Sequence, residues 1–257
     1  MIQYETTDGV TTIRLERPER KNSLSPDMII QIGSALIEAR ENADSRCVVI
    51  MGSSGHFCAG RELGSHLSPG LASVLDYDEA YSAIFRHLQE LGKPSVAVVD
   101  GYAVAGGFTL AMGCDFVLAT ENAKFGAMEM KNGFPAAVNS ALLSHLCPPR
   151  IALEWLISGE TVPARRLYEL GLVNRLLPDA TALTDAAREF TSVLVERDPL
   201  AVRLARETFK AAQEMPLPQA LNYGKNLNAL LLASGRIDEA AALFEARQTQ
   251  RHAGESP

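Results

Sequence analysis

Ser95-Val96-Ala97-Val98-Val99 reads as a buried strand, and shortly after it come Gly106-Gly107 and a helix-forming run from Phe108 to Met112. A strand that turns through small residues into a helix directs the chain towards an α/β architecture. It also leaves main-chain N–H groups unpaired at the helix start, where they can hold an anion or a carbonyl oxygen on its way to becoming one. Taken alone, the segment is equally a tight turn with no chemistry. Gly101 and Gly106 have the spacing of a phosphate loop, but Gly107 stands where that loop needs lysine and Phe108 where it needs a hydroxyl. A dinucleotide fingerprint, G-x-G-x-x-G, is missing too.

A second exit of the same kind precedes it. Cys47-Val48-Val49-Ile50-Met51-Gly52 reads as another buried strand, followed by a Ser53-Ser54-Gly55 turn and then His56-Phe57-Cys58-Ala59-Gly60-Arg61-Glu62-Leu63. Two small-residue turns leaving adjacent strands can place two backbone N–H donors around one oxygen, which is the logic of an oxyanion hole.

Together the two segments resemble the crotonase, or enoyl-CoA hydratase/isomerase, superfamily. Phe57 to Leu63 resembles its F-x-A-G-[AR]-D-L, and Asp100 to Asp115 its N-G-x-A-x-G-G-G-x-x-L-A-x-x-C-D. Arg17-Pro18-Glu19-Arg20-Lys21-Asn22-Ser23-Leu24 is similar to its opening R-P-x-x-x-N-[AS]-L, and Ala123 to Glu129 to its A-x-F-G-x-P-E. Ala164 to Asn174 resembles A-x-x-A-x-x-x-G-L-V-[ND], with Leu167 in place of the second alanine. The motifs run in order over nearly the whole chain.

The resemblance implies a spiral of β-β-α units over residues 1–195 and a helical region over 196–257 that trimerises, often as a dimer of trimers. The residues themselves suggest a hairpin around Asp8-Gly9, a helix opened by Ser25-Pro26-Asp27 and closing near Asn42, and a helix from Asp76 to Leu91. After Pro148-Pro149 nearly everything reads as helix: Ile151–Ile157, Pro163–Leu170, Asp179–Glu196, Pro199–Gln213, Leu217–Ala233 and Arg236–Gln250. One short strand, Val173–Leu177, interrupts this run. Apolar faces on the last two helices (Leu227, Leu230, Leu231; Ile237, Ala240, Ala241, Phe244) fit packing between or within subunits.

Composition narrows the partners. With 24 bases against 31 acids, a net charge of −7 argues against a nucleic-acid groove. No apolar run approaches the roughly 20 residues of a membrane span. Met1-Ile2-Gln3-Tyr4-Glu5 has no signal-peptide pattern and Glu255-Ser256-Pro257 is no peroxisomal address, so a cytoplasmic location is expected. His56, His66, His87, His145 and His252 show no ligand spacing, so no metal is implied. Cys58 lies beside the first turn, but no histidine is placed by sequence to activate it as a nucleophile.

The resemblance implies an acyl-CoA substrate whose thioester oxygen sits between the backbone amides of Arg61 and Gly106, with coenzyme A entering as part of the substrate and no separate cofactor. CoA contacts would come from Arg20, Lys21, Ser23, Cys58, Ala59, Gly60 and Arg61. Family hydratases flank the double bond with two glutamates; here the first position holds Thr109 and the second Glu129. A threonine can hold a water but cannot take its proton near neutral pH. One glutamate beside an oxyanion hole suits a proton shuttle from C2 to C4, which is Δ3–Δ2 enoyl-CoA isomerisation. The alternatives are hydration, another enolate reaction (decarboxylation, C–C cleavage or formation), and acyl-CoA binding without turnover. Met128 and Met130 flank Glu129, and apolar neighbours raise a carboxyl pKa. Glu62 reads as a turn or helix-start residue rather than a base. The family's P-G-x-G-G-T is replaced by Pro135-Ala136-Ala137-Val138-Asn139-Ser140, which reshapes the acyl pocket expected around Met128, Phe134 and Asn139, with Asn139 or Ser140 supplying a polar contact.

Overall fold

The computed structural model describes residues 1–62 and 71–237. Leu63, His66, Ala240, Ala241, Phe244, His252 and most of the expected Arg236–Gln250 helix lie outside the described residues. Two compact units make up the chain, Met1–Arg203 and Leu204–Pro257.

The first unit opens with β1 (Ile2–Thr7) and β2 (Val10–Leu15), an antiparallel hairpin. Asp8 and Gly9 both have positive φ, the geometry a two-residue hairpin turn needs. Next comes α1 (Pro26–Glu41), where the Ser25 hydroxyl accepts from the Met28 N–H and Pro26 supplies a preset first-turn φ. Then follow β3 (Cys47–Gly52), α2 (Leu71–Glu90), β4 (Ser95–Val99), β5 (Tyr102–Val104) and α3 (Gly106–Met112). After these come β6 (Phe116–Thr120), β7 (Lys124–Gly126), a 3-10 turn at Met128–Asn132, α4 (Ala137–Leu146) and α5 (Pro149–Ser158). The unit continues through β8 (Val162–Pro163), α6 (Ala164–Glu169), β9 (Arg175–Leu177) and α7 (Ala180–Val195); α8 (Pro199–Gln213) begins in it and ends in the second unit.

β1-β2-β3-β4-β6-β9 form one sheet, parallel from β2 onwards, and β5-β7-β8 form a second. Strands of a parallel sheet are buried on both faces, and these alternate accordingly. Val48, Ile50, Ala97, Val99, Val117 and Ala119 join the main core with Met28, Ile29 and Ile32 of α1 and Ile84 and Leu88 of α2. Cys47, Val49, Val96, Val98 and Leu118 point the other way, onto Leu183, Ala187 and Phe190 of α7. Long Val/Ile/Leu runs, which carry no strand period of their own, are thereby explained.

The small sheet is what matters for function. Cys58 bridges Ala103 of β5, β5 pairs with β7, and Leu24 bridges Arg61. The exits of β3 and β4 therefore lie side by side. One sequence expectation is corrected. Tyr102–Val104 is a strand rather than part of the turn, because its backbone is paired on both sides. The segment after Pro135, for which the sequence suggested no element, is the helix Ala137–Leu146, with no side-chain N-cap to announce it.

In the second unit, α9 (Leu217–Ala233) has no buried residue, and Leu217, Leu221, Leu230 and Leu232 are exposed. No described helix is long and apolar enough to cross a membrane.

Candidate active site

Two backbone turns meet at the centre of the first unit. Gly60 has φ +100°, a conformation L side chains rarely adopt, and Ala105 is held at φ 50°, ψ −124°. A non-glycine residue in that region is strained, and its neighbours must hold it there. The Ala105 N–H donates to the Gly126 oxygen, which ties this turn to β7. Gly107 allows the close approach: a Cβ there would stand 2.3 Å from the Cys58 carbonyl oxygen.

The Arg61 and Gly106 amides are the product of these turns. A Cβ on Gly106 would lie 3.2 Å from Arg61 N, and one on Gly60 would lie 3.3 Å from Gly106 N. Among the described residues neither N–H has a hydrogen-bond acceptor. Two unpaired, adjacent donors at the start of a buried helix suit an oxygen acquiring negative charge. Tyr81 of α2 braces the turn, its hydroxyl donating to the Gly106 oxygen at 2.6 Å.

Glu129 sits in the 3-10 turn after β7. Asn139 Nδ2 donates to its Oε1 at 3.0 Å, whereas Oε2 is buried with no partner among the described residues. Burial raises its carboxyl above the usual range; its own backbone amide, Asn139 and the Arg61 guanidinium offset part of that. Met128 and Phe134 are half-buried on either side of this turn.

Thr109 is 1% exposed, one turn into α3, and its hydroxyl donates to Asn139 Oδ1 at 2.8 Å. The Asn139 amide also donates to the Ala105 oxygen at 3.2 Å. Asn139 therefore links Thr109, the strained turn and Glu129, a role more central than the acyl-end contact expected of it. The Arg61 side chain pairs with Asp78 and lies over the rings of Tyr77 and Tyr81, 5.2 and 4.7 Å from their centroids.

The expected CoA residues divide. Arg20 and Lys21 are exposed, with Lys21 Nζ 4.7 Å from the Tyr102 ring centroid. Ser23 and Ala59 are half-buried beside them, and the Ala59 N–H donates to the Lys21 oxygen. Cys58 is different. It is fully buried, its N–H and C=O are taken up by Tyr102 and Val104, and burial pushes its thiol to about 12. It builds the turn through its backbone pairing, and buried Gly60 shapes the same turn through its positive φ. Glu62 is paired with Arg17 at 2.8 Å and its N–H donates to the Leu24 oxygen, a turn residue's role.

Sequence reasoning missed three supports. Tyr81 registered only as one apolar position on a helical face, and nothing local marked Ala105 as strained. Asn22, fully buried, was seen only as a motif letter; its Nδ2 donates to the Ser53 and His56 oxygens and its Oδ1 accepts from the Arg17 N–H. Among the described residues no cluster of His, Cys, Asp or Glu has metal-binding geometry.

Comparison with known proteins bears on the family and the fold. A family model described as enoyl-CoA hydratase/isomerase matches residues 5–252. A putative enoyl-CoA hydratase of Thermus thermophilus is 34% identical over 96% of this chain and 98% of its own length. The 2,3-dehydroadipyl-CoA hydratase of Escherichia coli is 30% identical over 93% of each chain. Among solved structures, an enoyl-CoA hydratase of Mycobacterium smegmatis superposes with a TM-score of 0.88 at 27% identity, over 95% of this chain and 96% of that one.

Proposed function

The chain belongs to the enoyl-CoA hydratase/isomerase family, is an acyl-CoA enzyme of it, and, we propose, moves a double bond from the 3- to the 2-position of an enoyl-CoA. The thioester oxygen lies between the Arg61 and Gly106 amides. Glu129 Oε2 takes a proton from C2, the electrons spread into a dienolate whose charge rests on that oxygen, and the same carboxyl returns the proton at C4. Each donor of such a pair is worth about 10²–10³ in rate, and a positioned base about 10²–10⁴.

One observation carries the preference for isomerisation. Glu129 offers an oxygen with no partner among the described residues, whereas Thr109 offers a hydroxyl whose one proton faces Asn139 Oδ1 at 2.8 Å and the Ala105 oxygen at 3.3 Å. Position 109 carries this hydroxyl in place of a second carboxylate that could activate a water. Exposed Arg20 and Lys21, with Ser23 and the Ala59–Arg61 backbone, suit the phosphates and pantetheine of CoA. Assembly as a trimer or dimer of trimers is supported by the exposed leucines of α9.

Hydration is the second reading, favoured by the names of the relatives, which are hydratases. The two part on one assay. Purified protein is incubated separately with a 3-enoyl-CoA and a 2-enoyl-CoA while the conjugated thioester absorbance is followed. Appearance from the former without loss from the latter supports isomerisation; loss from the latter, with a 3-hydroxyacyl product, overturns it in favour of hydration. Silence in both, with CoA esters still bound, points to a different enolate reaction or to binding alone.

A further inference from the structure

Glu129 has two carboxylate oxygens in unlike surroundings, and the difference traces to one side chain. Asn139 is 1% exposed, on the first turn of α4. Its Nδ2 faces the Glu129 carboxylate at 3.0 Å and the Ala105 carbonyl at 3.2 Å, while its Oδ1 receives the Thr109 hydroxyl at 2.8 Å. Turning the amide over would set its oxygen against a carboxylate and a carbonyl, so its orientation follows from its neighbours. A buried amide satisfied at both ends is a rigid fixture rather than a mobile contact.

We propose that Asn139 is the positioning residue of the base: its amide, locked between the Thr109 hydroxyl and the Ala105 carbonyl, grips one oxygen of Glu129 and leaves the other as the single proton-transferring atom. The proposal rests on Glu129 being the base. It gives the hydroxyl at position 109 a use that needs no bound water. It also couples the base to the oxyanion turn, because Ala105, which shapes the Gly106 amide, shares the same asparagine. A reacting carboxylate held within a few tenths of an ångström is the kind of pre-organisation that loses about 10²-fold when misplaced by 1 Å.

Other charged and titratable groups face Glu129 from the first glycine turn and from α2. They are the Arg61 guanidinium, itself paired with Asp78, and the buried Tyr81 hydroxyl. On the 3-10 turn of Glu129, Lys131 pairs outward with Glu160. None of these hydrogen-bonds the carboxylate, so loss of the Asn139 donor has a distinct signature.

The test uses Asn139→Ala and the shape-preserving Asn139→Leu, with Glu129→Gln to assign the Glu129 carboxyl resonance in 13C-glutamate-labelled protein. An amide donor favours the ionised carboxylate, so both variants are expected to raise the Glu129 titration midpoint, whatever the substrate. With a 3-enoyl-CoA, kcat/KM on the acid side is expected to fall by about tenfold through kcat, recovering partly as pH rises. If Asn139 only fills space, Leu is tolerated, Ala is the worse of the two, and neither moves the midpoint; that result in folded variants overturns the proposal. If the midpoint moves while wild-type protein turns over no 3-enoyl-CoA, the positioning role stands and the isomerase reading fails alone.

Discussion

Gly106→Ala is the sharpest perturbation of the proposed oxyanion site, because it adds one methyl beside the Arg61 amide. The new Cβ would stand 3.2 Å from Arg61 N and 3.0 Å from Tyr81 Oη. An oxygen hydrogen-bonded to the Arg61 amide lies about 2.7–3.1 Å from that nitrogen. The proposed placement of the oxygen then predicts that the methyl crowds it and shifts the two amides from their spacing. Gly106 does not have positive φ, so alanine suits its backbone and the helix survives. The crowding against Arg61 and Tyr81 costs about 1–3 kcal/mol, as overpacking usually does, or about 2–4 °C in melting temperature per kcal/mol for a chain of this size.

Activity should suffer far more. Loss of a single donor costs about 10²–10³ in rate, so kcat/KM on a 3-enoyl-CoA should fall by at least about 10²-fold. Glu129 stays in place, and its carboxyl should titrate as before. The assay pairs steady-state kinetics with a thermal melt on the same preparation. A folded Gly106→Ala protein that retains activity within threefold of wild type would refute the placement of the substrate oxygen between these amides.

Three further outcomes follow from burial and packing. Glu129→Gln should abolish turnover yet raise the melting temperature. A carboxyl raised by burial destabilises the fold fully above its folded pKa and not at all below the ordinary 4.5, so the gain should vanish in melts run below that pH. Cys58, fully buried and with its thiol pushed to about 12, should resist a thiol reagent in native protein at pH 8; its labelling by mass spectrometry before unfolding would contradict the packing described. Gly33, inside α1, has only the His87 ring within 4 Å of a would-be Cβ, at 3.9 Å. Gly33→Ala should therefore stabilise by about 0.5–1 kcal/mol in chemical denaturation, and a loss would mean the helix is packed more tightly there.

The order of elements was largely legible because each carried a local signal. Asp8-Gly9 announced a hairpin, Ser25-Pro26 a helix start, and the bounds of α8 and α9 coincide with the spans read from sequence. Two elements had no such signal. β5 is three residues long and exists only because Cys58 and β7 pair with it from distant parts of the chain. α4 begins without a capping side chain, within a run that differs from the family pattern at every glycine, and there the sequence suggested no element.

The site divides along the same line between local and distant causes. Its backbone part was readable, because paired glycines and a small-residue turn are the local requirement for two amides to approach. The side-chain part is different. Thr109 and Glu129 could be located by motif, but their relation could not, since it runs through Asn139, 30 residues from one and 10 from the other. No spacing rule joins a 3-10 turn to the first turn of the helix that follows it. On the proposed reading, the reaction is set by a few side chains around one oxygen site. A hydroxyl in place of a second carboxylate, with an asparagine tying it to the remaining one, would then change what the site can do to water and leave what it can do to an α-proton intact.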